Sequence, residues 1–405
     1  MKVRISKGKA RGAVNAPPSK SMAHRLLICA GLSEGTCMVN GIAESEDVLA
    51  TIDCLEAMGA HCEKMGESIK VTGTDIRKSS AEGILNCRES GSTLRFFIPI
   101  CLLSGNNAVL AGSERLMKRP VDIYKNICEE RKLVFSQDKT TLMLKGPLKA
   151  GEFKVAGNVS SQFISGLLFA LPLLEQDSTI TILPPIESKS YIDMTISALA
   201  CFGVSAVWKD DNKIYIKGGQ KYHAEEVQVE GDYSNAAFFE ALNVFGGEVK
   251  INGLDESSIQ GDKVYARMFE QLKRGIPTLN LSNCPDLAPI LFAVAAAENG
   301  GVFTGTGRLR IKESDRGSVM AQVLREFGVS AKVHDDEIVI YPIKFKAPEK
   351  MLSGFNDHRI VMSEAVLLTL TGGTIDGAEA VTKSFPDFFD KLKILGIKVE
   401  KIDDN

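Results

Sequence analysis

The chain has 405 residues, of which 44% are hydrophobic and 24% are charged, and its net charge at pH 7 is −3. This length predicts two or three domains with cores of their own, and the small negative charge without a basic block argues against a nucleic-acid partner. Nine cysteines without a C-x-x-C pair are typical of a reducing compartment. The N-terminus lacks an apolar signal segment, and the longest apolar run, 288–297, is too short to span a bilayer. We therefore expect a cytoplasmic protein without a membrane partner.

Along the chain, one order of elements recurs six times: an apolar helix, a turn that often contains glycine, a short β-rich run, a polar loop and an amphipathic helix. The apolar helices are predicted at 22–32, 93–103, 162–174, 234–245, 286–297 and 358–370. The β-rich phrases that follow them begin at residues 34, 105, 177, 246, 300 and 372. Because the apolar helices are apolar almost all round, we expect them to be buried, with the amphipathic helices outside them.

The repeat predicts an α/β protein with two similar domains of three units each. We place the crossings between domains near Pro17–Pro18 and near Val229–Gly231, so that residues 1–16 and 231–405 form one domain and residues 17–230 form the other. The N-terminal segment would then pack with the C-terminal half. An ordinary alternation of strands and helices, without internal symmetry, is the alternative interpretation of the same pattern.

Polar residues gather at two equivalent positions of the repeat. One position is the start of the apolar helix, with Ser19, Lys20, Ser21, Arg25, Ser90, Gly91, Ser92, Arg95, Ser160, Ser161, Gln162, Asp232, Ser234, Asp286, Asp357, His358 and Arg359. The other is the loop before the amphipathic helix, with Arg115, Lys118, Arg119, Ser188, Lys189, Tyr191, Lys312, Glu313, Arg316 and Lys383. Helix starts combine unpaired N–H groups with positive dipole potential, so they attract anions. Helix starts from two facing domains would line a cleft suited to ligands with several phosphates or carboxylates.

Each of these residues also has a plain structural interpretation. Ser90, Ser92 and Ser234 are expected to be helix N-caps, and loop lysines and arginines are commonly solvated. Arg25, however, lies within an apolar helix, where an unpaired cation is costly. Lys312 and Arg316 are spaced i, i+4, which places both on one face if the segment is helical. The histidines and cysteines show no metal-ligand spacing, so we expect no metal.

The sequence resembles the EPSP synthase family, the 3-phosphoshikimate 1-carboxyvinyltransferases, over essentially its whole length. The motifs that carry the resemblance are PPSKSMAHR, SGSTLRFF, RLMKRP, VSSQFISGLL, SKSYIDMT, GDYSNAAFF, PDLAP, RIKESDR, NDHRIVM and KSFPDFF. The resemblance implies two domains, each an inverted α/β barrel of three pseudo-symmetric βαβαββ-type units, with the active site in the cleft between them. It also implies transfer of the enolpyruvyl group of phosphoenolpyruvate to the 5-hydroxyl of shikimate 3-phosphate, without a metal or organic cofactor. The expected partners are these two small molecules, and the expected state is a monomer.

The resemblance assigns a ligand to each site residue. Shikimate 3-phosphate would be held through its carboxylate, its phosphate and its hydroxyls by Ser21, Arg25, Ser160, Ser161, Ser188, Asp286 and Lys312, with Tyr191 packing nearby. Phosphoenolpyruvate would be held through its phosphate and its carboxylate by Lys20, Gly91, Arg119, Lys383, Arg316 and Arg359. Gln162 would lie between the two substrates.

The reaction needs a base for the attacking hydroxyl and an acid for the methylene carbon. The resemblance favours Asp286, helped by Lys20, as the base and Glu313, with a raised pKa, as the acid. Two positions depart from the family pattern: Glu89 stands where many relatives carry Asn, and Arg308 stands where some relatives carry an Asn that contacts the shikimate.

Two alternatives stay open at this point. The first is a UDP-N-acetylglucosamine enolpyruvyltransferase, which shows Lys-Asn where this chain has Lys20-Ser21 and carries a loop cysteine near the position of Arg119. The second is a non-catalytic anion-binding protein, which has no need of Asp286 and Glu313 beside the cations.

Overall fold

In the computed structural model of the chain, the structure describes residues 1–77, 83–342 and 344–402. It contains two compact units. The split unit consists of Met1–Pro17 and Gly231–Asn405, and the continuous unit consists of Pro18–Glu230. Each unit has a hydrophobic core of its own.

The described residues form thirteen α-helices, seven in the continuous unit and six in the split unit. The helices of the continuous unit are α1 (Lys20–Gly31), α2 (Glu46–Ala57), α3 (Gly91–Cys101), α4 (Glu114–Met117), α5 (Asp122–Glu130), α6 (Ser161–Ala170) and α7 (Lys189–Cys201). Those of the split unit are α8 (Tyr233–Val244), α9 (Tyr265–Arg274), α10 (Ala288–Ala297), α11 (Arg316–Glu326), α12 (His358–Thr371) and α13 (Phe388–Ile394). Short 3-10 helices lie at Leu171–Leu173, Gly261–Val264, Pro285–Leu287, Gly307–Ile311 and Ala378–Lys383. No helix in the described ranges has both the length and the apolar character needed to cross a membrane.

The strands are short and are distributed over the whole chain. Those before residue 100 are β1 (Lys2–Ile5), β2 (Arg11–Asn15), β3 (Ser33–Glu34), β4 (Thr36–Asn40), β5 (His61–Met65), β6 (Ser68–Thr72) and β7 (Ile84–Asn86). The next are β8 (Asn107–Ala111), β9 (Val134–Gln137), β10 (Thr141–Lys145), β11 (Glu152–Ala156), β12 (Ser178–Leu183), β13 (Ala206–Trp208), β14 (Lys213–Ile216), β15 (Tyr222–His223) and β16 (Glu226–Gln228). The last are β17 (Glu248–Asn252), β18 (Thr278–Asn280), β19 (Gly301–Thr304), β20 (Ala331–Val333), β21 (Glu337–Ile340), β22 (Leu352–Ser353), β23 (Gly373–Asp376) and β24 (Val399–Ile402).

One sheet pattern recurs through both units. Four-stranded sheets have the strand orders β16-β4-β6-β5, β7-β8-β10-β9, β11-β12-β14-β13, β18-β19-β21-β20 and β22-β23-β1-β24. In each of them the first two strands are parallel and the remaining neighbours are antiparallel. Two further parallel pairs, β15 with β3 and β17 with β2, form two-stranded sheets of their own. All these sheets are open, and none in the described residues closes into a barrel. The expected α/β class with a sixfold repeat is confirmed.

The first strands of the chain belong to sheets of the C-terminal half. Strand β1 lies between β23 and β24, and β2 pairs in parallel with β17. Since β1 and β2 supply strands that two C-terminal repeats lack, the N-terminal residues are part of the split unit.

The apolar helices are buried, as expected. In α10 every residue from Ala288 to Ala296 is buried, and in α12 every residue from His358 to Thr369 is buried. Amphipathic α9 instead buries one face, with Met268, Phe269 and Leu272, and exposes the other. A helix start in a buried helix is held rigidly by packing, which suits a binding site.

Candidate active site

In the continuous unit, the first turn of α1 presents a lysine that is already paired. Pro17 and Pro18 prevent an earlier helix start, and the Ser19 hydroxyl caps the helix by accepting from the Met22 amide at 3.4 Å. Lys20 Nζ then lies 2.8 Å from Asp47 Oδ2, which belongs to the first turn of α2. The sequence alone assigns Asp47 no role, because an acid in the first turn of a helix is ordinary.

Arg25 is buried among neutral oxygens. Its Nε donates to Thr195 Oγ1 at 2.8 Å, and its two Nη groups donate to the carbonyls of Ser21 at 2.6 Å and Tyr191 at 2.9 Å. The guanidinium also stacks over the Phe96 ring at 5.4 Å. Burial lowers the pKa of Arg25 to about 10. These contacts hold the side chain without neutralising it, so its charge is left for an anion.

The first residue of α3 lies against an arginine. Ser90 caps this helix, and a Cβ added to Gly91 would come within 2.5 Å of Arg119 Nη1. Glycine therefore permits a close approach of the Arg119 guanidinium to the helix start. Ser92 is not the cap; it accepts from Gln162 Nε2 at 2.8 Å.

Gln162 connects the starts of α3 and α6. Its Oε1 accepts from Arg95 Nη1 at 2.7 Å, and Arg95 also donates to the Pro120 carbonyl at 3.0 Å. These contacts explain how a cation is accommodated in the apolar helix α3. Ser160 caps α6 by accepting from the Gln162 amide at 3.3 Å.

Ser161 and Ser188 stand at the starts of two helices, α6 and α7, that pack against each other. Ser188 is buried and adopts left-handed backbone angles, with φ of +56°. Such angles are uncommon for a residue other than glycine. In the continuous unit, helix contacts thus connect α1 to α7, α7 to α6, α6 to α3, α3 to α2 and α2 to α1.

The split unit holds a compact group of ions, the split-unit ion cluster, made of Asp286, Lys312, Glu313, Arg316, Asp357 and Arg359. Asp286 Oδ1 lies 3.1 Å from Lys312 Nζ and 2.9 Å from Arg316 Nη1, and Oδ2 lies 3.5 Å from Arg359 Nη2. Asp286 is the middle residue of the 3-10 helix Pro285–Leu287, directly before α10, and Arg359 lies in the first turn of α12.

Arg316 is the centre of this cluster and is only 1% exposed. It donates from Nε to Asp357 Oδ2 at 2.9 Å and from Nη2 to Glu313 Oε2 at 2.7 Å. Asp357 is itself fully buried, accepts from the Ser314 hydroxyl at 2.9 Å, and caps α12 through the Arg359 amide at 3.0 Å. The sequence places Asp357 at a helix start but does not reveal its partner Arg316, because the two residues are 41 positions apart and no local pattern connects them.

The expectation that Lys312 and Arg316 share a helical face is wrong. Lys312 has extended backbone angles, and α11 begins only at Arg316, capped by Asp315. The two cations nevertheless meet, because both contact the same oxygen of Asp286. The expectation that Ser234 caps α8 is also wrong, because the cap is Asp232, which accepts from the Asn235 amide at 2.8 Å.

The cluster is balanced, with three cations and three carboxylates. Burial opposes the charge on Asp286, but Lys312, Arg359 and Arg316 outweigh it and hold the pKa of Asp286 well below its usual range. Burial lowers the pKa of Lys312, although Asp286 partly offsets this. For Arg316 burial is again opposed, and Asp357, Glu313 and Asp286 together raise its pKa.

Two further positions named from the sequence lie near this cluster in the fold. Lys383 Nζ donates to the Asn356 carbonyl at 2.8 Å, directly before the Asp357 cap. Arg308, a departure from the family pattern, donates from Nη2 to the Ser282 carbonyl at 2.6 Å. The other departure, Glu89, is half-buried beside the Ser90 cap. Among the described residues no group of His, Cys, Asp or Glu has the arrangement of a metal site.

Comparisons with known proteins bear on the family and the fold of the chain. The model of the EPSP synthase family, 3-phosphoshikimate 1-carboxyvinyltransferase, matches residues 5–392. A 3-phosphoshikimate 1-carboxyvinyltransferase of Clostridium perfringens is 40% identical, and the alignment covers 98% of each chain. One of Clostridium botulinum is also 40% identical, over 97% of each chain. Among solved structures, an EPSP synthase of Acinetobacter baumannii has a TM-score of 0.79 at 25% identity, covering 99% of this chain and 100% of that one. The enolpyruvyl transferase NikO of Streptomyces tendae shares the fold, with a TM-score of 0.77 at 14% identity over 98% of each chain.

Proposed function

The chain belongs to the EPSP synthase family, and we propose that its two units supply different parts of the reaction: the continuous unit binds anionic groups, and the split-unit ion cluster transfers protons. The chain transfers the enolpyruvyl group of phosphoenolpyruvate to the 5-hydroxyl of shikimate 3-phosphate and releases phosphate, a step of the shikimate pathway. The observation that carries the division is the balanced cluster around Arg316, which differs from the unneutralised charge of Arg25.

Shikimate 3-phosphate is assigned first to the continuous unit. Arg25, with neutral partners and a fixed side chain, is suited to the carboxylate of the shikimate, together with Ser21. Ser160, Ser161 and Ser188 are assigned to its phosphate, because hydroxyls at helix starts add donors to the backbone N–H groups there. Gln162 is assigned to the region between the two substrates.

The phosphate of phosphoenolpyruvate is assigned to Lys20, Gly91 and Arg119 of the continuous unit. That Lys383 also binds it stays a prediction. The close approach of Arg119 to Gly91 supports this assignment, since a guanidinium and the N–H groups of a helix start together favour a phosphate. Asp47 holds the Lys20 ammonium through its ion pair. That Lys20 also assists Asp286 stays a prediction.

The carboxylate of phosphoenolpyruvate is assigned to Arg316 and Arg359. Arg316 already makes four hydrogen bonds to carboxylates with its five N–H groups. Entry of the substrate carboxylate therefore requires an exchange. The side chains of Glu313 and Asp286 are 19% and 20% exposed, whereas Asp357 is fully buried. We assign the exchange to the Glu313 contact, because Asp286 is also paired with Lys312 and Arg359. An ion pair favours the charged carboxylate, so leaving Arg316 prepares Glu313 to take up the proton it later donates.

The same exchange acts on Asp286. Its pKa is held down by Lys312, Arg359 and Arg316. When the substrate carboxylate shares the charge of Arg316 and Arg359, the proton affinity of Asp286 rises. In the addition step Asp286 accepts the proton of the 5-hydroxyl, whose oxygen bonds to C2 of phosphoenolpyruvate, while Glu313 donates a proton to C3. In the elimination step C3 returns a proton to Glu313, and phosphate leaves C2 and takes up the proton held by Asp286. Lys312 orients Asp286 and the shikimate hydroxyls.

The proposed reaction is tested by mixing the purified chain with shikimate 3-phosphate and phosphoenolpyruvate and following the release of phosphate. We expect phosphate only when both substrates are present. UDP-N-acetylglucosamine in place of the shikimate ester is the control, and we expect no release with it. Release of phosphate with the UDP-sugar but not with shikimate 3-phosphate would contradict the proposed substrate. No release of phosphate with either compound would contradict the proposed enzymatic activity.

We further propose that the chain acts as a monomer in the cytoplasm. All assigned groups come from one copy of the chain, and the nine cysteines are free thiols. Light scattering during gel filtration tests the first point, because a mass near 43.9 kDa is expected for a monomer.

A further inference from the structure

A buried hydrogen-bonded chain of one histidine and three hydroxyls joins the helices that carry Lys20 and Gly91. His24 Nδ1 lies 2.7 Å from Thr51 Oγ1, Thr51 Oγ1 lies 2.8 Å from Thr93 Oγ1, and Thr93 Oγ1 lies 2.7 Å from Ser90 Oγ. At most 1% of any of these four residues is exposed. A continuous polar network inside an apolar core restricts the relative positions of the elements it joins.

The network joins three helices. His24 belongs to α1, Thr51 to α2, and Thr93 to the first turn of α3, where Ser90 is the cap. The Thr93 hydroxyl also lies 3.4 Å from the backbone carbonyl of Asp47. The side chain of Asp47 pairs with Lys20, so the same stretch of α2 contacts both the lysine on α1 and the start of α3.

The direction of the hydrogen bonds follows from the histidine. Burial, and then the charges of Lys20 and Arg25, hold the pKa of His24 well below its usual value, so the ring is neutral and only one nitrogen carries a proton. The Nε2 atom is buried without a hydrogen-bond partner. Because an orphaned N–H donor is the rarer case in folded proteins, we place the proton on Nδ1. His24 then donates to Thr51, Thr51 to Thr93, and Thr93 to Ser90, so that Thr51 and Thr93 each accept one hydrogen bond of the chain and donate the next.

We propose that Thr51 and Thr93 are positioning residues for phosphoenolpyruvate: they set the spacing between Lys20 on α1 and the Gly91–Arg119 contact at the start of α3. They act through the Ser90 cap and through Asp47, both of which the Thr93 hydroxyl contacts. This inference rests on the assignment of Lys20, Gly91 and Arg119 to the phosphate of phosphoenolpyruvate.

The test is the variant Thr51→Val, which keeps the shape and removes the hydroxyl at the middle of the network. We expect KM for phosphoenolpyruvate to rise about five- to twentyfold, which is the effect of one lost buried hydrogen-bonding group. We expect KM for shikimate 3-phosphate to stay within about twofold of wild type, because Arg25 has separate partners. Thr51→Ser restores the hydroxyl and is expected to return KM towards the wild-type value.

A matched control separates positioning from a loss of stability. Ser33 is also buried in the continuous unit, and its hydroxyl donates to the Ala30 carbonyl at 2.7 Å, at the other end of α1. Ser33→Ala is expected to lower Tm without changing either KM. If Thr51→Val lowers Tm and leaves KM for phosphoenolpyruvate unchanged, the proposal is overturned.

Two further points keep the test decisive. If circular dichroism shows that Thr51→Val does not fold, Thr93→Val removes the next hydroxyl and is judged by the same change in KM. A wild-type chain that releases no phosphate from the two substrates overturns the proposed function, whereas an active wild type with unchanged KM in the threonine variants overturns only the positioning role.

Discussion

Arg25 and Arg316 are both buried, yet the two units solve the burial of a guanidinium in opposite ways. In the continuous unit Arg25 donates to a hydroxyl and two carbonyls, and burial lowers its pKa to about 10. In the split unit Arg316 lies among three carboxylates, which raise its pKa. A cation with neutral partners retains its charge for a ligand, and a cation among carboxylates fixes their geometry. We propose that this difference separates ligand binding in the continuous unit from proton transfer in the split unit.

The largest expected difference between the two units is the loss of folding stability when each arginine is replaced. We expect Arg316→Met to lower the free energy of unfolding by about 3–5 kcal/mol, because it leaves Asp357 buried without its counter-ion. We expect Arg25→Met to cost less than half as much, because only neutral acceptors lose a donor. Urea unfolding of the two variants beside wild type measures the difference. Equal losses would remove the distinction between the two sites.

The next prediction tests whether Glu313 is the proton donor of the split-unit ion cluster. Glu313→Gln keeps the size of the side chain and is expected to reduce kcat by about 10²–10⁴-fold, the usual contribution of a general acid. Binding of both substrates, followed by calorimetry, is expected to persist. Glu326→Gln, at the other end of α11, is the control and should leave kcat unchanged. A Glu313→Gln variant with kcat near wild type would exclude this acid.

Glu364 offers a second buried acid on α12, seven residues after Asp357. Neither of its carboxylate oxygens has a hydrogen-bond partner, and burial raises its pKa well above the usual value. The folded chain therefore keeps a proton on Glu364 that the unfolded chain releases above about pH 4.3. The free energy of unfolding consequently falls as pH rises from that value towards the pKa of Glu364 in the folded chain. We expect Glu364→Met to raise the free energy of unfolding by about 1–3 kcal/mol near neutral pH.

The pH dependence of Glu364→Met provides its check. The free energy of unfolding that Glu364→Met gains over wild type should grow from about pH 5 to about pH 8, because this range lies above the pKa of a glutamate in the unfolded chain. A gain that shrinks as pH rises would show that Glu364 is ionised and paired in the folded chain.

The smallest effect is expected at Gly91. An added Cβ in Gly91→Ala meets the flexible tip of Arg119, so we expect the guanidinium to move and KM for phosphoenolpyruvate to rise about three- to tenfold, about 1 kcal/mol. The helix itself should not weaken, because Ala favours helices over Gly. The control is Gly105→Ala, whose Cβ would make only an ordinary contact at 3.8 Å. An unchanged KM would show that Arg119 does not bind this phosphate.

The parts of the fold that repeat along the chain could be predicted from the sequence. The six apolar helices are recognised because period and length are local properties, and the buried α10 and α12 follow directly from them. Arg25 could be singled out for the same reason, as a cation inside an apolar helix. The resemblance to the EPSP synthase family identified the reaction, which the comparisons support.

The contacts between distant segments could not be predicted. The i, i+4 spacing predicts that Lys312 and Arg316 share a helical face, but they meet through Asp286, which lies 26 and 30 residues before them. Asp47 looks like any acid at a helix start, and only the fold brings it to Lys20. The sequence also predicts a site dominated by cations, whereas the structure places three carboxylates around Arg316. No local sequence pattern indicates that Asp286 and Asp357, which are distant in sequence, pair with this arginine.

Donation of a proton by Glu313 to the methylene carbon is tested most directly by running the reaction in D₂O and following deuterium at the methylene hydrogens of the substrate and product by ¹H NMR. Reversible transfer through Glu313 predicts that the wild-type chain incorporates deuterium there and that Glu313→Gln, which still binds both substrates, incorporates almost none. Incorporation by Glu313→Gln at the wild-type rate would contradict the assignment of the split-unit ion cluster to proton transfer.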